Sequence, residues 1–433
     1  MSNFNENIAM LSVKMGYSLN NRDFRMRYWQ SYQHCVHKFA ILPMVLTIVL
    51  TMSFVLPILA GERDHSLRIE SVNTLGKSSV YGVYLAALAA ERSWDLQQAA
   101  TLMIRVLEDK PNDKKLLGQA FRLSLMAGLG EQSGELANRL EAAGGEDTTA
   151  KFLLAIKNIN DKNYGAARDR LSNQWGKGLA EYASPILTAW TAFGIGDVDG
   201  ALSILTQLRD SDGFGVLRRL QEGMINDLAD RTNAAEAAYR ELVVDPSESS
   251  LRAVRALGLF LERSGRIEQA RTIYETYLAS HPGNILLENE LERMASHRSP
   301  RSLVNTPAEG IAEGLFHLAS VIPRDRGDDL ALMYAQLSLA ARPDFELSKL
   351  LVGDLLDSRK RFVEAIDLYR SIEPESLYRW TAQLRIADNL NELENLDGAV
   401  RLLRTMADEK SDRPEPLIKL GNLLRYNHRF HDA

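Results

Sequence analysis

The sequence predicts an all-α protein, a right-handed α-solenoid of helix-turn-helix units in two sub-arrays, preceded by an N-terminal apolar membrane segment. Three observations predict it. Small residues recur twelve positions apart in a frame that mostly advances by 34 residues. Prolines punctuate the apolar-periodic segments, as helix ends require, and alternating runs of Val, Ile and Thr are scarce.

Composition narrows the function classes before any motif does. The 433 residues are 45% hydrophobic and 25% charged, ordinary for a globular chain. A net charge of −6 argues against a general nucleic-acid binder, which carries a basic face. No long block of like charge forms an acidic or basic tail. The single cysteine, Cys35, excludes an intrachain disulfide and leaves the redox compartment open.

Residues 1–38 form a lead carrying Lys14, Arg22, Arg25, Arg27 and Lys38 against Glu6 and Asp23. Phe39 to Ala60 then run 22 residues without a charge, enough to cross the ~30 Å hydrocarbon core as a helix. The flank beyond is mixed: Glu62, Arg63, Asp64, Arg68 and Glu70. The positive-inside bias leaves the lead in the cytoplasm and sends everything after Ala60 to the extracytoplasmic side, the periplasm of a bacterium. The segment is either a signal peptide cleaved near Ala60 or a retained transmembrane anchor. Met26 offers a shorter start that would suit the signal peptide. Cys35 precedes the apolar run, so a lipoprotein reading is poor. Residues 61–79 read as a polar linker.

The repeats begin at 80. In LGLFLERSGRIEQARTIYETYLASHP, residues 257–282, Gly258 is followed twelve positions later by Ala270, then by Tyr274, and Pro282 closes the unit. Small residues where two antiparallel helices cross let them approach closely. A large apolar residue fills the space beyond the crossing, and proline ends the second helix. The small pairs Ala87/Ala99, Ala155/Ala167, Ala189/Ala201, Gly223/Ala235, Gly258/Ala270, Ala319/Ala331, Gly353/Ala365, Ala387/Ala399 and Gly421/Ala433 keep one register. Their steps are 68, 34, 34, 35, 61, 34, 34 and 34 residues. The step of 68 hides a degenerate unit with Phe121 and Ser133 in the two small positions. Tyr369 stands four beyond Ala365 as Tyr274 stands beyond Ala270.

This pattern resembles the tetratricopeptide repeat, with small residues at positions 8 and 20, a large one at 24 and proline at 32. Units start near 80, 114, 148, 182, 216, 251, 312, 346 and 380, with a partial one from 414. The first array spans 80–295, about six repeats, and ends on a helix-like piece, ILLENELERMA. The Ser-, Pro- and Gly-containing stretch 296–311 reads as an irregular break before the second array, 312–433. The chain ends at Ala433, position 20, leaving Leu417, Leu420, Gly421 and Leu424 without a second helix to cover them. That pattern reads as a truncated array.

The phrases YLAALAAERSWDLQQAATLMIRVLEDKP, RPDFELSKLLVGDLL and RPEPLIKLGNLLR resemble those of uncharacterised exported tetratricopeptide proteins of alphaproteobacteria. The resemblance implies an envelope-facing scaffold that binds proteins or peptides. In that family, positions 2, 5, 9 and 12 of the first helices line a concave groove. Here they place Tyr84, Leu88, Phe152, Ile156, Ile186, Trp190 and Phe193 along an apolar, partly aromatic surface with the composition of interface anchors. The same residues would equally pack against a neighbouring helix or the linker. Phe152, Ile156, Leu187, Arg252 and Ala256 do not reproduce the Lys, Asn and Arg clamp with which some tetratricopeptide proteins grip a C-terminal carboxylate.

Motifs for chemistry are missing: no Walker loop, dinucleotide fingerprint, CxxC pair or HExxH occurs, and no cofactor or metal is expected. His34, Cys35 and His37 read as a juxtamembrane flank, and His428 and His431 as a solvated helix face. Gly194, Gly196 and Gly200 read as the turn within a repeat. The expectation is a non-enzymatic scaffold for other proteins, serving envelope assembly or secretion. Alternatives are an accessory for polysaccharide export or adhesion, or the interaction region of a longer enzyme.

Overall fold

The computed structural model describes residues 79–172, 177–209, 214–324 and 327–431. The lead, the apolar segment 39–60 and most of the linker lie outside them, as does Ala433. No helix among the described residues is long and apolar enough to cross a membrane. They hold twenty α-helices and no strand.

The helices pair as hairpins. In order these are α1 (Val80–Arg92) with α2 (Leu96–Leu107), α3 (Lys114–Met126) with α4 (Gly130–Ala142), and α5 (Thr148–Asn160) with α6 (Tyr164–Leu171). Then come α7 (Ala180–Ile195) with α8 (Val198–Leu205), α9 (Gly215–Leu228) with α10 (Thr232–Leu242), and α11 (Leu251–Arg263) with α12 (Ile267–Ser280). A single helix, α13 (Ile285–Ala295), follows. The second array holds α14 (Pro307–Ser320) with α15 (Asp328–Ala341), α16 (Glu346–Ser358) with α17 (Phe362–Arg370), α18 (Arg379–Glu392) with α19 (Leu396–Glu409), and α20 (Glu415–Tyr426).

Local chemistry sets the turn inside each hairpin. The residue at position 15 is left-handed throughout most of the array, at Trp94, Gly128, Lys162, Gly196, Asp230, Gly265, Lys360, Glu394 and His428. In four hairpins the next residue then caps the second helix: Asp95, Asn163, Asp197 and Asn395 each accept a backbone N–H with their side chains. FGIGDVDG is therefore a turn, with Gly196 supplying the positive φ and Asp197 bonding the Gly200 N–H at 2.8 Å.

The helix crossings follow a finer rule than small against small. Where position 8 is glycine, position 24 is tyrosine, and its ring lies where a Cβ would stand: Gly223 under Tyr239, Gly258 under Tyr274, Gly353 under Tyr369. Where position 8 is alanine, position 24 is a smaller side chain, as in Ala87 with Met103 and Ala155 with Leu171. The degenerate second hairpin exchanges the sizes, pairing Phe121 with Ala137, and both are fully buried. Ala270 and Ala365 are fully buried at position 20, and Pro282 stands exposed just past the end of α12. The tyrosine hydroxyls reach buried or half-buried carboxylates, Tyr274 on Glu262 at 3.0 Å and Tyr369 on Asp354 at 2.7 Å. Burial, then the neighbouring carboxylate, raises both phenols above their usual range.

Two expectations are corrected. Helix α14 starts at Pro307 rather than near 312. Thr306 caps the Glu309 N–H at 3.2 Å, and Glu309 reaches back to the Asn305 N–H at 2.9 Å, so the helix is fixed from its first turn. At the far end, Leu417 is 55% exposed, but Leu420 and Leu424 are only 8% and 1% exposed. They join a cluster with Leu403 and Met406 of α19 and with Ile285 of α13. The unpaired helix α13 thus returns to cover part of α20. Arg413, paired with Glu288 and donating to the Gly283 carbonyl at 3.2 Å, fixes that return.

Candidate functional site

Most of the residues expected along a groove of the first helices are covered by the chain itself. Phe152 and Ile156 on α5, and Ile186 and Trp190 on α7, are all fully buried. Helices α14 and α15 lie against α3, α5, α7 and α9, the first helices of hairpins two to five. The second array is therefore folded into the concave face of the first, and these four residues are core where a partner surface was expected.

The interlock is steric and specific. Gly310 and Gly314 stand one turn apart on α14 and face α7. A Cβ at Gly310 would fall inside the Trp190 ring, and one at Gly314 would meet the Ile186 Cγ2 at 2.7 Å. Trp190 donates its indole N–H to Gln221 of α9 at 2.6 Å, which satisfies its polar edge in the buried interface. Phe193 is half-buried, edge-on to Trp190 with ring centroids 5.6 Å apart. Glu313, buried on α14, accepts from Arg252 Nε of α11 at 3.1 Å. Asn160 at the end of α5 donates to the Ala340 carbonyl of α15 at 2.9 Å. Farther along, Arg359 stacks 4.4 Å above the Trp94 ring at the α1–α2 turn and donates to Asp328 at 2.9 Å.

His317, on α14, gives the fold a pH dependence. Burial pushes its imidazole down to about 4, against 6.5 in the unfolded chain, so the fold holds it neutral. Between those values the unfolded chain binds a proton that the folded one does not. Stability is then full above about pH 6.5 and falls as the pH drops toward 4. Because the side chain keeps some exposure, the expected loss is about 1–2 kcal/mol, short of the full linkage energy. Urea midpoints compared at about pH 7.5 and about pH 4.5 measure it, and His317→Gln should flatten most of the difference. An unchanged slope in that variant would place the titration elsewhere.

One end of the groove stays open. On α1, Tyr81 is 79% and Leu85 64% exposed, and Tyr84 and Leu88 are half-buried beside them. Their spacing of three, four and seven puts them on one helical face. Of the residues read from sequence as groove-lining, Tyr84, Leu88 and Phe193 are half-buried, and the other four are enclosed. Sequence reasoning missed the enclosing partner. The signal was the pair Gly310 and Gly314, a close-approach pattern on a helix just after the break.

Among the described residues, no cluster of His, Cys, Asp or Glu could hold a metal ion. No protein-family description matches the chain, and no curated protein matches it. Among solved structures it is similar to the P58(IPK) TPR domain, at 12% identity over 82% of this chain and 100% of that one, with a TM-score of 0.23. It is also similar to the APC/C hetero-tetramer Cut9-Hcn1, at 14% identity over 82% and 77%, with a TM-score of 0.29. The yeast Tom70 structure aligns at 14% identity over 82% and 90%, with a TM-score of 0.25. At such scores the alignments say nothing about overall shape or partners. The repeat assignment rests on the chain's own hairpins.

Proposed function

We propose that this chain is a protein-binding scaffold on the extracytoplasmic side of a bacterial inner membrane, serving envelope assembly or secretion, whose docking surface is the open end of the groove at α1. The observation that carries the reading is the apolar stripe of Tyr81, Tyr84, Leu85 and Leu88, aromatic and aliphatic side chains left accessible on one helix face. Such a stripe suits the apolar face of a partner helix, which would continue across α1 the kind of contact that α14 makes with α7. The uncharged run 39–60 behind a basic lead supports the location. Tyr and Leu side chains placed this way hold a protein rather than transform it, and the family resemblance points the same way.

In-cell photo-crosslinking tests the surface. A crosslinking residue at position 81 is expected to capture one dominant envelope protein. The same residue at position 190 should capture none, because α14 encloses that site. Exposed Val244, beyond the end of α10, serves as the background position. Tyr84→Ser together with Leu85→Ser should abolish the capture. Capture from 81 no greater than from 244 would overturn the docking surface. A periplasm-active reporter fused after residue 78 tests the location independently, and an inactive fusion would overturn it.

A further inference from the structure

Two clefts of the same architectural kind open between successive hairpins, on the side of the second helices. One, of about 460 Å³, lies between the fourth and fifth hairpins and is lined by Thr206, Ala237, Glu222 and Glu241 among others. The other, of about 300 Å³, lies between the eighth and ninth hairpins. Its walls carry Arg370, Arg379 and Arg401, and Ile386, Leu390 and Leu402 contribute apolar surface. Residue by residue in the 34-residue frame, Arg370 stands where the first cleft has Thr206, Arg401 where it has Ala237, and Ile386 where it has Glu222. Arg370 and Arg401 are therefore no consequence of the repeat. They distinguish this cleft from its structural equivalent.

The charges there are weakly committed within the chain. The Arg401 guanidinium makes no hydrogen bond or ion pair among the described residues. Arg379 donates to the Ile372 carbonyl at 3.2 Å, and Arg370 lies 3.7 Å from the exposed Asp367. No carboxylate lines the cleft. In a chain of net charge −6, three guanidinium groups around an apolar floor form a local inversion of sign. Guanidinium forks match carboxylates in geometry, and the Ile386, Leu390 and Leu402 surface excludes water beside them.

We infer that the cleft between the eighth and ninth hairpins docks an acidic linear peptide of a partner protein, its carboxylates on Arg370, Arg379 and Arg401 and an adjacent apolar side chain on the Ile386–Leu390–Leu402 floor. The apolar floor favours a peptide over a bare anion, and the net negative charge of the chain disfavours a nucleic acid. This surface is separate from the open groove end on α1, and either can fail without the other.

The test is fluorescence anisotropy with the full chain in a nonionic detergent. The probe is a fluorescein-labelled peptide of alternating Glu and Leu, and its control alternates Gln and Leu. Micelles alone supply the background. The Glu–Leu peptide is expected to bind at least about ten-fold more tightly than the control and to weaken as salt is raised. Arg370→Thr with Arg401→Ala, which installs the residues of the equivalent cleft, should cost about ten-fold or more in affinity. These side chains are exposed, so the melting curve should be unchanged, and a shifted curve directs the test to Arg401→Gln alone. Equal binding of the two peptides, or full binding by the variants, overturns the proposal. Displacement of the Glu–Leu peptide by inorganic phosphate as readily as by unlabelled peptide would mark a simple anion site and overturn it as well.

Discussion

Replacing Trp190 by alanine is expected to lower the unfolding free energy by about 3–5 kcal/mol, the range for removing a fully buried large aromatic side chain. The ring fills the space between α7 and α14, and its N–H is the partner of the buried Gln221 side chain. Alanine would leave both a cavity and a buried Gln221 Oε1 without its donor. Gly310→Ala should cost about 1–3 kcal/mol alone, because α14 must move off the indole to admit one methyl group. The informative measurement is the double variant. The added methyl group then enters space that the indole has vacated, so the two losses should fall short of their sum by about 1 kcal/mol or more. Urea unfolding of the four proteins measures this. Strict additivity, or a Trp190→Ala loss under about 1 kcal/mol, would mean that α14 does not occupy the groove in solution.

That interlock also shows where the sequence is informative and where it is silent. The frame was legible because a helix crossing is a local constraint: position 20 must be small within its own hairpin, and Ala99, Ala167, Ala201, Ala235, Ala270, Ala331, Ala365 and Ala399 are all fully buried. The pairing of Gly223, Gly258 and Gly353 with Tyr239, Tyr274 and Tyr369 was there to be read as well, sixteen residues apart in each case. The fate of the groove was not legible. An apolar stripe that binds another protein and one that binds the chain's own α14 have the same composition, because both exchange water for hydrocarbon contact. Phe152, Ile156, Ile186 and Trp190 fit either role until the residues facing them are known. The cover of Leu420 and Leu424 is hidden for the same reason, since Ile285 comes from more than 130 residues earlier. Arg370, Arg379 and Arg401 are scattered in sequence, and only the stacking of hairpins brings them around one cleft.

The junction between the arrays should prove as sensitive as the interlock, through charge instead of volume. Glu262 at the end of α11 accepts two bonds from Arg293 of α13, at 2.7 and 2.6 Å, and one from the Tyr274 hydroxyl at 3.0 Å. Arg293 also donates to Glu290 at 2.9 Å, and Glu290 accepts from Arg255 of α11 at 2.7 and 3.2 Å. Arg255 completes the chain by donating to the Tyr378 hydroxyl, just ahead of α18, at 2.8 Å. Six side chains thus tie α11, α12, α13 and the start of α18 together. Burial works against the charge on Arg255, but Tyr378 and Glu290 more than offset it and hold the group above its usual range. Arg255 therefore stays charged, and Glu290→Ala would strand it with Arg293 only partly paired. The expected loss is about 3–5 kcal/mol, measured by urea unfolding. Converting the buried pair together, Arg255→Met with Glu290→Leu, should recover most of that loss, because no unpaired charge remains. If instead the double variant is as unstable as Glu290→Ala, the network is fixing the direction in which the second array leaves the first, and its geometry matters beyond its charge.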